Sequence, residues 1–273
     1  PRSRYFSCLC NWLPHLYRCS HEVWKKIAAF MGVLQNPKYS YLLGKQHFFF
    51  RVFKALFYYY SKIVFIFYAP LRVIGREKIP KTSFIFCSNH NSHMDVAVLA
   101  VSVKKSFNHF GMLAARDYWF DSWIKRTLVN TVMNLIPVDR KSSKNRELST
   151  SDTLSLCDAF MEYGQRNLIL FPEGTRGKPG ELLPFKKGAA SFSAKLNKPI
   201  LPAVIHGSHK IWPRGKIFFS WPTKIRVYIL DPIYPESFLE TDNPTEEERS
   251  RAVENITLEL ERVIKEKVDY LYE

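Results

Sequence analysis

Cysteine is scarce: five residues in a chain of 273, an odd number and too few for a disulfide framework, which suits a reducing compartment. The sequence has no G-x-S-x-G nucleophile elbow, and its three Gly-Lys pairs are followed by Gln46, Pro179 and Ile217 rather than Ser or Thr, so a P-loop is absent as well. These gaps set aside serine hydrolases of the elbow type and P-loop phosphotransferases. No uncharged apolar run approaches the roughly 20 residues that a spanning helix needs. No internal repeat, low-complexity linker or secretory-signal pattern is visible, and the first residue is Pro1 rather than Met, as expected of a chain that starts inside a longer or processed product. Cys8, Cys10, Cys19 and His21 could be read as a metal cluster, but their spacings differ from zinc knuckles, and no metal site is expected.

What is present is positive charge and aromatic bulk. The formal charge is +15, with 46% hydrophobic and 15% aromatic residues, which excludes a disordered or collagen-like chain. Residues 1–80 hold 13 Lys/Arg against 2 Asp/Glu, whereas residues 236–273 hold 5 against 12. The basic excess therefore belongs to the body of the chain and implies an anionic partner: nucleic acid, a phospholipid surface or a phosphorylated small molecule. Nucleic-acid binders interleave cations with aromatics on a groove or sheet face. Here the aromatics bunch instead, and no nucleic acid is expected.

Between His47 and Tyr68, 11 of 22 residues are Phe or Tyr. At about 100° per residue, Arg51, Lys54 and Lys62 fall at roughly 0°, 300° and 20°, on one narrow face. The pattern predicts a helix lying in the headgroup region of a membrane, its aromatic face in the acyl boundary and its cationic stripe toward lipid phosphates. The other reading is a helix packed on the globular domain as ordinary core. A second short helix around His21–Leu34 would complete a hairpin-like anchor over residues 1–70.

From Leu71 onward short apolar runs alternate with longer amphipathic stretches, the grammar of an α/β fold: a mostly parallel or mixed sheet flanked by helices, over residues 71–273. Expected strands are Leu71–Ile74, Phe84–Ser88, Phe110–Ala114, Asn134–Val138, Leu168–Phe171, Ile200–Ile205 and Ile225–Leu230. Expected helices are Met94–Val103, Tyr118–Val132, Asp152–Gln165, Gly188–Leu196 and Thr245–Tyr270. The last opens on a capping box, Thr245 with Glu248, and reads as a packed helix with an acidic solvated face.

Chemistry-bearing residues gather at strand ends. After Phe84–Ser88, His90 is followed five residues later by Asp95, so the loop can fold back to bring carboxylate to imidazole and leave the second ring nitrogen free to take a proton. Alone, a helix-capping Asp beside a hydrogen-bonded His would look the same. Phe171-Pro172-Glu173-Gly174-Thr175-Arg176 follows another strand, where glycine admits an anion to the backbone, Thr175 adds a hydroxyl and Arg176 a planar fork matched to phosphate oxygens. A third strand ends at Arg140.

The order Asn89-His90-x-x-x-x-Asp95, a strand ending in Arg140, Phe171–Arg176, then Lys198-Pro199-Ile200-Leu201-Pro202-Ala203-Val204 resembles the four motifs of the glycerolipid acyltransferase family, and within it the 1-acylglycerol-3-phosphate (lysophosphatidic acid) branch. The resemblance covers roughly Leu71 to Leu230. It implies that His90 deprotonates an acceptor hydroxyl, that Asp95 orients His90, and that a thioester donor, acyl-CoA or acyl carrier protein, is attacked directly with no further cofactor. It also implies substrate-binding roles for Asn89, Arg116, Arg140, Glu173, Gly174, Thr175, Arg176 and Lys186, a lysophospholipid acceptor, and a monotopic or peripheral protein on the cytoplasmic face of a phospholipid membrane. Glycerol-3-phosphate or another lysophospholipid as acceptor, and a basic membrane- or nucleic-acid-binding protein without catalysis, are the rival readings. Asn134 stands where the family's second motif begins with Gly, and Gly177 where the third is followed by Ser. His93 has the wrong spacing to Asp95 for the dyad and reads as a polar loop residue.

Overall fold

The computed structural model describes residues 32–120, 122–139, 147–213, 215–216, 218–239, 241 and 244–273. The chain divides into two units, Pro1–Ser40, of which residues 32–40 are described, and Tyr41–Glu273. In the described part of the first unit, two 3-10 turns, Val33–Gln35 and Pro37–Tyr39, are joined at Asn36, whose side chain accepts from Lys38 N at 3.0 Å. The helix expected around His21–Leu34, and Cys8, Cys10, Cys19 and His21, lie outside the described residues apart from the turn at Val33.

The second unit is built on a seven-stranded sheet in the order β1-β7-β6-β2-β5-β3-β4. The strands are β1 (Leu71–Ile74), β2 (Ile85–Ser88), β3 (Phe110–Ala115), β4 (Asn134–Val138), β5 (Asn167–Leu170), β6 (Ile200–His206) and β7 (Ile225–Ile229). All neighbours pair parallel except β6 with β7. Helices of two turns or more are α1 (Phe48–Phe67), α2 (Asp95–Ser102), α3 (Trp123–Asn130), α4 (Thr150–Glu162), α5 (Gly188–Leu196) and α6 (Glu246–Tyr272). β2 and β5 are buried along their whole length, as continuous apolar runs covered on both faces must be, while β1 alternates at the edge. Because β2, β3, β4, β5 and β6 run the same way, their carboxyl ends share one rim, and the loops after them meet there.

Each expected strand is present to within a residue at either end. The single helix expected over Tyr118–Val132 is instead two pieces, Arg116–Trp119 and α3, with Phe120 closing the first in non-helical backbone (φ −113°, ψ 4°). α6 starts on its capping box, with Thr245 and Glu248 exchanging hydrogen bonds, and packs on α5 and β6 through Ala252, Ile256, Leu260, Ile264 and Val268.

α1 corrects the expected orientation of the cationic stripe. The face turned to the domain carries Lys54, Tyr58, Ser61 and Phe65 and meets α2 and the turn at Phe107–His109. The aligned cations therefore mark the inner face and its border. Lys54 is fully buried, its Nζ donating to Gln46 Oε1 at 2.8 Å and to the Asn130 carbonyl. Burial of Tyr58 and Phe65 anchors the helix by about 1.5–3 kcal/mol each. The opposite face, with Phe48, Phe49, Phe53, Leu56, Tyr59, Ile63 and Phe67, is exposed and almost wholly apolar. No helix among the described residues is long and apolar enough to cross a membrane.

Candidate active site

The turn after β2 wraps around one carboxylate. Asp95, the first residue of α2, is completely buried, and its Oδ2 lies 2.9 Å from His90 Nδ1 while accepting from the backbone N–H groups of Asn91 and Ser92, each at 2.8 Å. Its Oδ1 accepts from Ser208 Oγ at 2.7 Å, across from the end of β6. Four donors on a buried carboxylate compensate its lost hydration and hold the charge in place. With Nδ1 committed to Asp95, Nε2 is the nitrogen left for chemistry. The imidazole stacks on Phe171 at 3.8 Å between ring centroids and 12° between planes, so its plane is set by the strand end that carries the glycine turn.

That turn is fastened to the histidine loop. Glu173 Oε1 accepts from His90 N at 2.9 Å and Oε2 from Leu183 N at 3.0 Å, and Gly177 N donates to His90 O at 2.9 Å. Burial pushes the Glu173 carboxyl above its ordinary value, against the opposing pull of the Leu183 and His90 N–H groups. Glu173 thus braces two loops, the turn that carries it and the loop that carries His90, and its carboxylate accepts from the backbone of both flanking segments. Asn89 is also structural: its side chain is buried and pairs with both N–H and C=O of Ile205 in β6.

Gly174, Thr175, Arg176 and Lys186 do reach the same space as His90. All five line one open cavity of about 700 Å³, whose remaining walls include Met112, Trp119, Val138, Ile169 and Phe192. Gly174 sits at φ +70°, and the space a β-carbon would occupy there lies 2.3 Å from Lys186 Nζ, so the absent side chain is what admits the lysine. Arg176 Nη1 lies 3.1 Å from His93 Nε2. Burial, then the charge of Arg176, pulls the His93 pKa down, which keeps that ring neutral and able to accept from the guanidinium. His93 therefore positions Arg176, a role its spacing to Asp95 gave no hint of.

Arg116 does not line the cavity. Its guanidinium bridges Asp139 Oδ1 at 2.6 Å and Glu147 Oε2 at 3.1 Å, tying the end of β3 to the segment after β4. Burial works against the Asp139 charge, but hydrogen bonds from Leu148 N, Arg116 and Glu147 N outweigh it and hold its pKa below the usual value. Arg140 lies outside the described residues. Ser208 was missed altogether; the only signal was a Gly-Ser pair closing an apolar strand. Among the described residues no three His, Cys, Asp or Glu side chains are grouped as metal ligands.

Asn134 explains itself locally. It is fully buried at the start of β4, its amide donating to the carbonyls of Phe107 and Phe110 and its oxygen accepting from Gln46, so the side chain fastens the opposite rim of the sheet, away from His90.

A second cavity of about 580 Å³ opens between α1 and α2. It is walled by Phe57, Val64, Phe107 and Met133, and it shares Met112 and Trp119 with the first.

Residues 70–206 match the protein-family model described as Acyltransferase. The chain is 30% identical over 186 residues to a chloroplastic 1-acyl-sn-glycerol-3-phosphate acyltransferase of Brassica napus, covering 67% of this chain and 50% of that protein. It is 31% identical over 219 residues to the 1-acyl-sn-glycerol-3-phosphate acyltransferase of Saccharomyces cerevisiae, covering 76% and 65%. The crystal structure of the 1-acyl-sn-glycerophosphate (LPA) acyltransferase PlsC from Thermotoga maritima superimposes with a TM-score of 0.56 at 25% identity, over 81% of this chain and 80% of that one. The chain spans about half the length of the plant relatives it matches.

Proposed function

The chain belongs to the acyltransferase family, and from that premise we propose that it moves a fatty acyl group from a thioester donor to the free hydroxyl of lysophosphatidic acid, giving phosphatidic acid. The observation that carries this reading is that one cavity holds both the dyad's imidazole and the cationic turn: His90, Arg176 and Lys186 line it together. A phosphorylated alcohol with its headgroup on the two cations presents its hydroxyl to His90.

In the proposed reaction His90 Nε2 takes the hydroxyl proton as the alcohol oxygen attacks the thioester carbonyl. Asp95, ionised and fully hydrogen-bonded, stabilises the imidazolium that forms. Collapse of the tetrahedral intermediate breaks the carbon–sulfur bond, and the departing thiolate recovers the proton from His90. A positioned base contributes about 10²–10⁴-fold, and a thioester is already activated, so the remaining acceleration is alignment within the cavity. The donor is acyl-CoA or acyl carrier protein. The apolar cavity joined at Met112 and Trp119 supports a place for a fatty chain beside the reacting carbonyl.

The exposed apolar face of α1 supports a membrane-docked enzyme, with this face sunk in one leaflet. The loop carrying Phe218 and Trp221, 81% and 88% exposed, is tied to the end of α1 by Tyr68, which donates to the Ser220 carbonyl and packs on Phe219. It extends the same apolar surface.

The test is a panel of acceptors incubated with acyl-CoA or acyl carrier protein and the detergent-solubilised chain: lysophosphatidic acid, glycerol-3-phosphate and lysophospholipids with larger headgroups, with products resolved by mass spectrometry. Phosphatidic acid formed by the wild type and not by His90→Ala is expected. Preferred acylation of another acceptor would displace lysophosphatidic acid, and no acylation at all would end the proposal.

A further inference from the structure

The rim of the sheet opposite the dyad holds a pocket that the reaction does not use. It lies where α1 begins and where β3 and β5 enter the sheet, separated from His90 by the length of a strand, on the order of 15 Å. Its volume is about 420 Å³, and its lining includes Lys45, Arg51, His109 and Arg166 together with Ser106 and Asn108, with no Asp or Glu.

The positive charge there is built in and not neutralised. Arg166 is buried, with Nη1 and Nη2 donating to the carbonyls of Leu42 and Gly44 at 3.2 and 3.0 Å and its guanidinium stacked on Phe160 and Tyr163. Carbonyls and rings fix the cation without cancelling it. Among the described residues, Lys45, Arg51 and Arg166 form no ion pair with a carboxylate. Lys54, one turn along α1 from Arg51, adds a buried amine nearby. The like charges are felt: beyond the effect of burial, Arg51 lowers the Arg166 pKa against an opposing pull from Tyr163, Lys105 and then Arg166 lower that of His109, and Arg166 lowers that of Lys54. Crowded cations with serine and asparagine donors and no counter-charge are the complement of a phosphate. Phe48 and Phe49, both more than 60% exposed, stand beside the pocket at the start of α1.

We propose that this pocket binds the phosphate of an anionic phospholipid, seating the amino-terminal end of α1 at headgroup level while its aromatic face enters the acyl region. The choice of a lipid over a free anion rests on the membrane-docked reading of α1; the pocket itself does not depend on that reading or on catalysis. Arg166 and His109 form the back of the site, and Lys45 and Arg51, both exposed, close on the phosphate from the side.

The test uses the full chain and short-chain lipids dissolved as monomers, so it needs neither a bilayer nor turnover. The His109 ring signals, assigned by comparison with His109→Gln, are followed by NMR during titration with dihexanoylphosphatidylglycerol, dihexanoylphosphatidylcholine and inorganic phosphate. A saturable shift with the phosphatidylglycerol alone is expected. It should vanish in Lys45→Ser/Arg51→Ser and persist in Lys81→Ser/Lys195→Ser, which removes the same charge from exposed positions elsewhere. No saturable shift, or equal loss in both double variants, would overturn the site. An equal shift with inorganic phosphate at the same concentration would overturn the lipid assignment. All four substituted residues are exposed, so the variants should melt with the wild type. A wild type that transfers acyl groups but shows no saturable shift would sink the pocket and leave the enzyme, whereas a wild type that shows the shift but acylates no acceptor would do the opposite.

Discussion

Ser208 Oγ donates to Asp95 Oδ1 at 2.7 Å, on the oxygen opposite the one that meets His90. The bond joins the loop after β6 to the start of α2, so the carboxylate is held from both sides and cannot rotate away from the imidazole. Ser208 is a positioning residue, and Ser208→Ala should lower kcat by about 10–100-fold, the rate equivalent of losing a hydrogen bond to a buried charge. KM should be little changed, the acid limb of the pH–rate profile should move, and Ser208→Thr should recover part of the rate. His90→Ala should remove the full contribution of the base, about 10²–10⁴-fold or more, with vesicle binding intact. Acyl transfer to lysophosphatidic acid, measured across pH for the three variants, checks both; a Ser208→Ala profile that merely scales down would make the bond structural only.

Gly174 and Lys186 make a separable prediction about the anion end of the cavity. A methyl group at position 174 would lie 2.3 Å from Lys186 Nζ, and the backbone there is left-handed at φ +70°. Gly174→Ala should displace the ammonium and raise KM for the acceptor about tenfold or more, the value of 1.4 kcal/mol. Lys186→Ala should reproduce the KM effect without the backbone strain. Steady-state kinetics on both variants checks the assignment, and an unchanged KM in Lys186→Ala would take the lysine out of headgroup binding.

The strands, the dyad and the cationic turn were legible because each is a local pattern: apolar runs of strand length, a five-residue spacing, a hexapeptide at a strand end. What was not legible depends on partners distant in sequence. The resemblance implies a binding role for Arg116, and only the fold shows that Asp139 and Glu147 share its guanidinium. The resemblance implies a binding role for Glu173, and only the fold shows its carboxylate accepting from the N–H groups of His90 and Leu183. On α1, the period of the charges was readable and their direction was not. An unpaired lysine reads as solvent-facing until Gln46 and the Asn130 carbonyl supply an interior partner.

The outward face of α1 gives a prediction independent of the dyad. Phe53, Leu56 and Tyr60 are each more than half exposed, so Phe53→Ser/Leu56→Ser/Tyr60→Ser should leave the thermal midpoint unchanged. Each lost apolar side chain removes up to about 1.5–3 kcal/mol of bilayer transfer, and cosedimentation with phospholipid vesicles should fall steeply. Phe218→Ser/Trp221→Ser should weaken partitioning in the same direction. Unchanged sedimentation in both would mean that another surface meets the lipid.

Lys54 ties stability to pH. Its amine is packed against Gln46, the Asn130 carbonyl and the Phe50 ring, with Arg166 nearby and no carboxylate described as its partner. Burial, reinforced by the Arg166 charge, pulls its pKa down from 10.5 to about 7. Between those values the unfolded chain holds a proton that the folded chain has released, so stability rises with pH across the window and is lost as pH falls toward 7. One such group contributes a slope of up to about 1.4 kcal/mol per pH unit. Urea denaturation of the wild type and Lys54→Met at about pH 7, 8 and 9 should therefore show the wild type gaining on the variant by roughly 2 kcal/mol over the series. The buried thiols of Cys87 and Cys157, whose pKa values burial raises, pull the opposite way at higher pH but are common to both proteins and cancel in the difference. A difference that stays flat would mean that Lys54 keeps its proton in the folded state, held as an ammonium by its two oxygen acceptors.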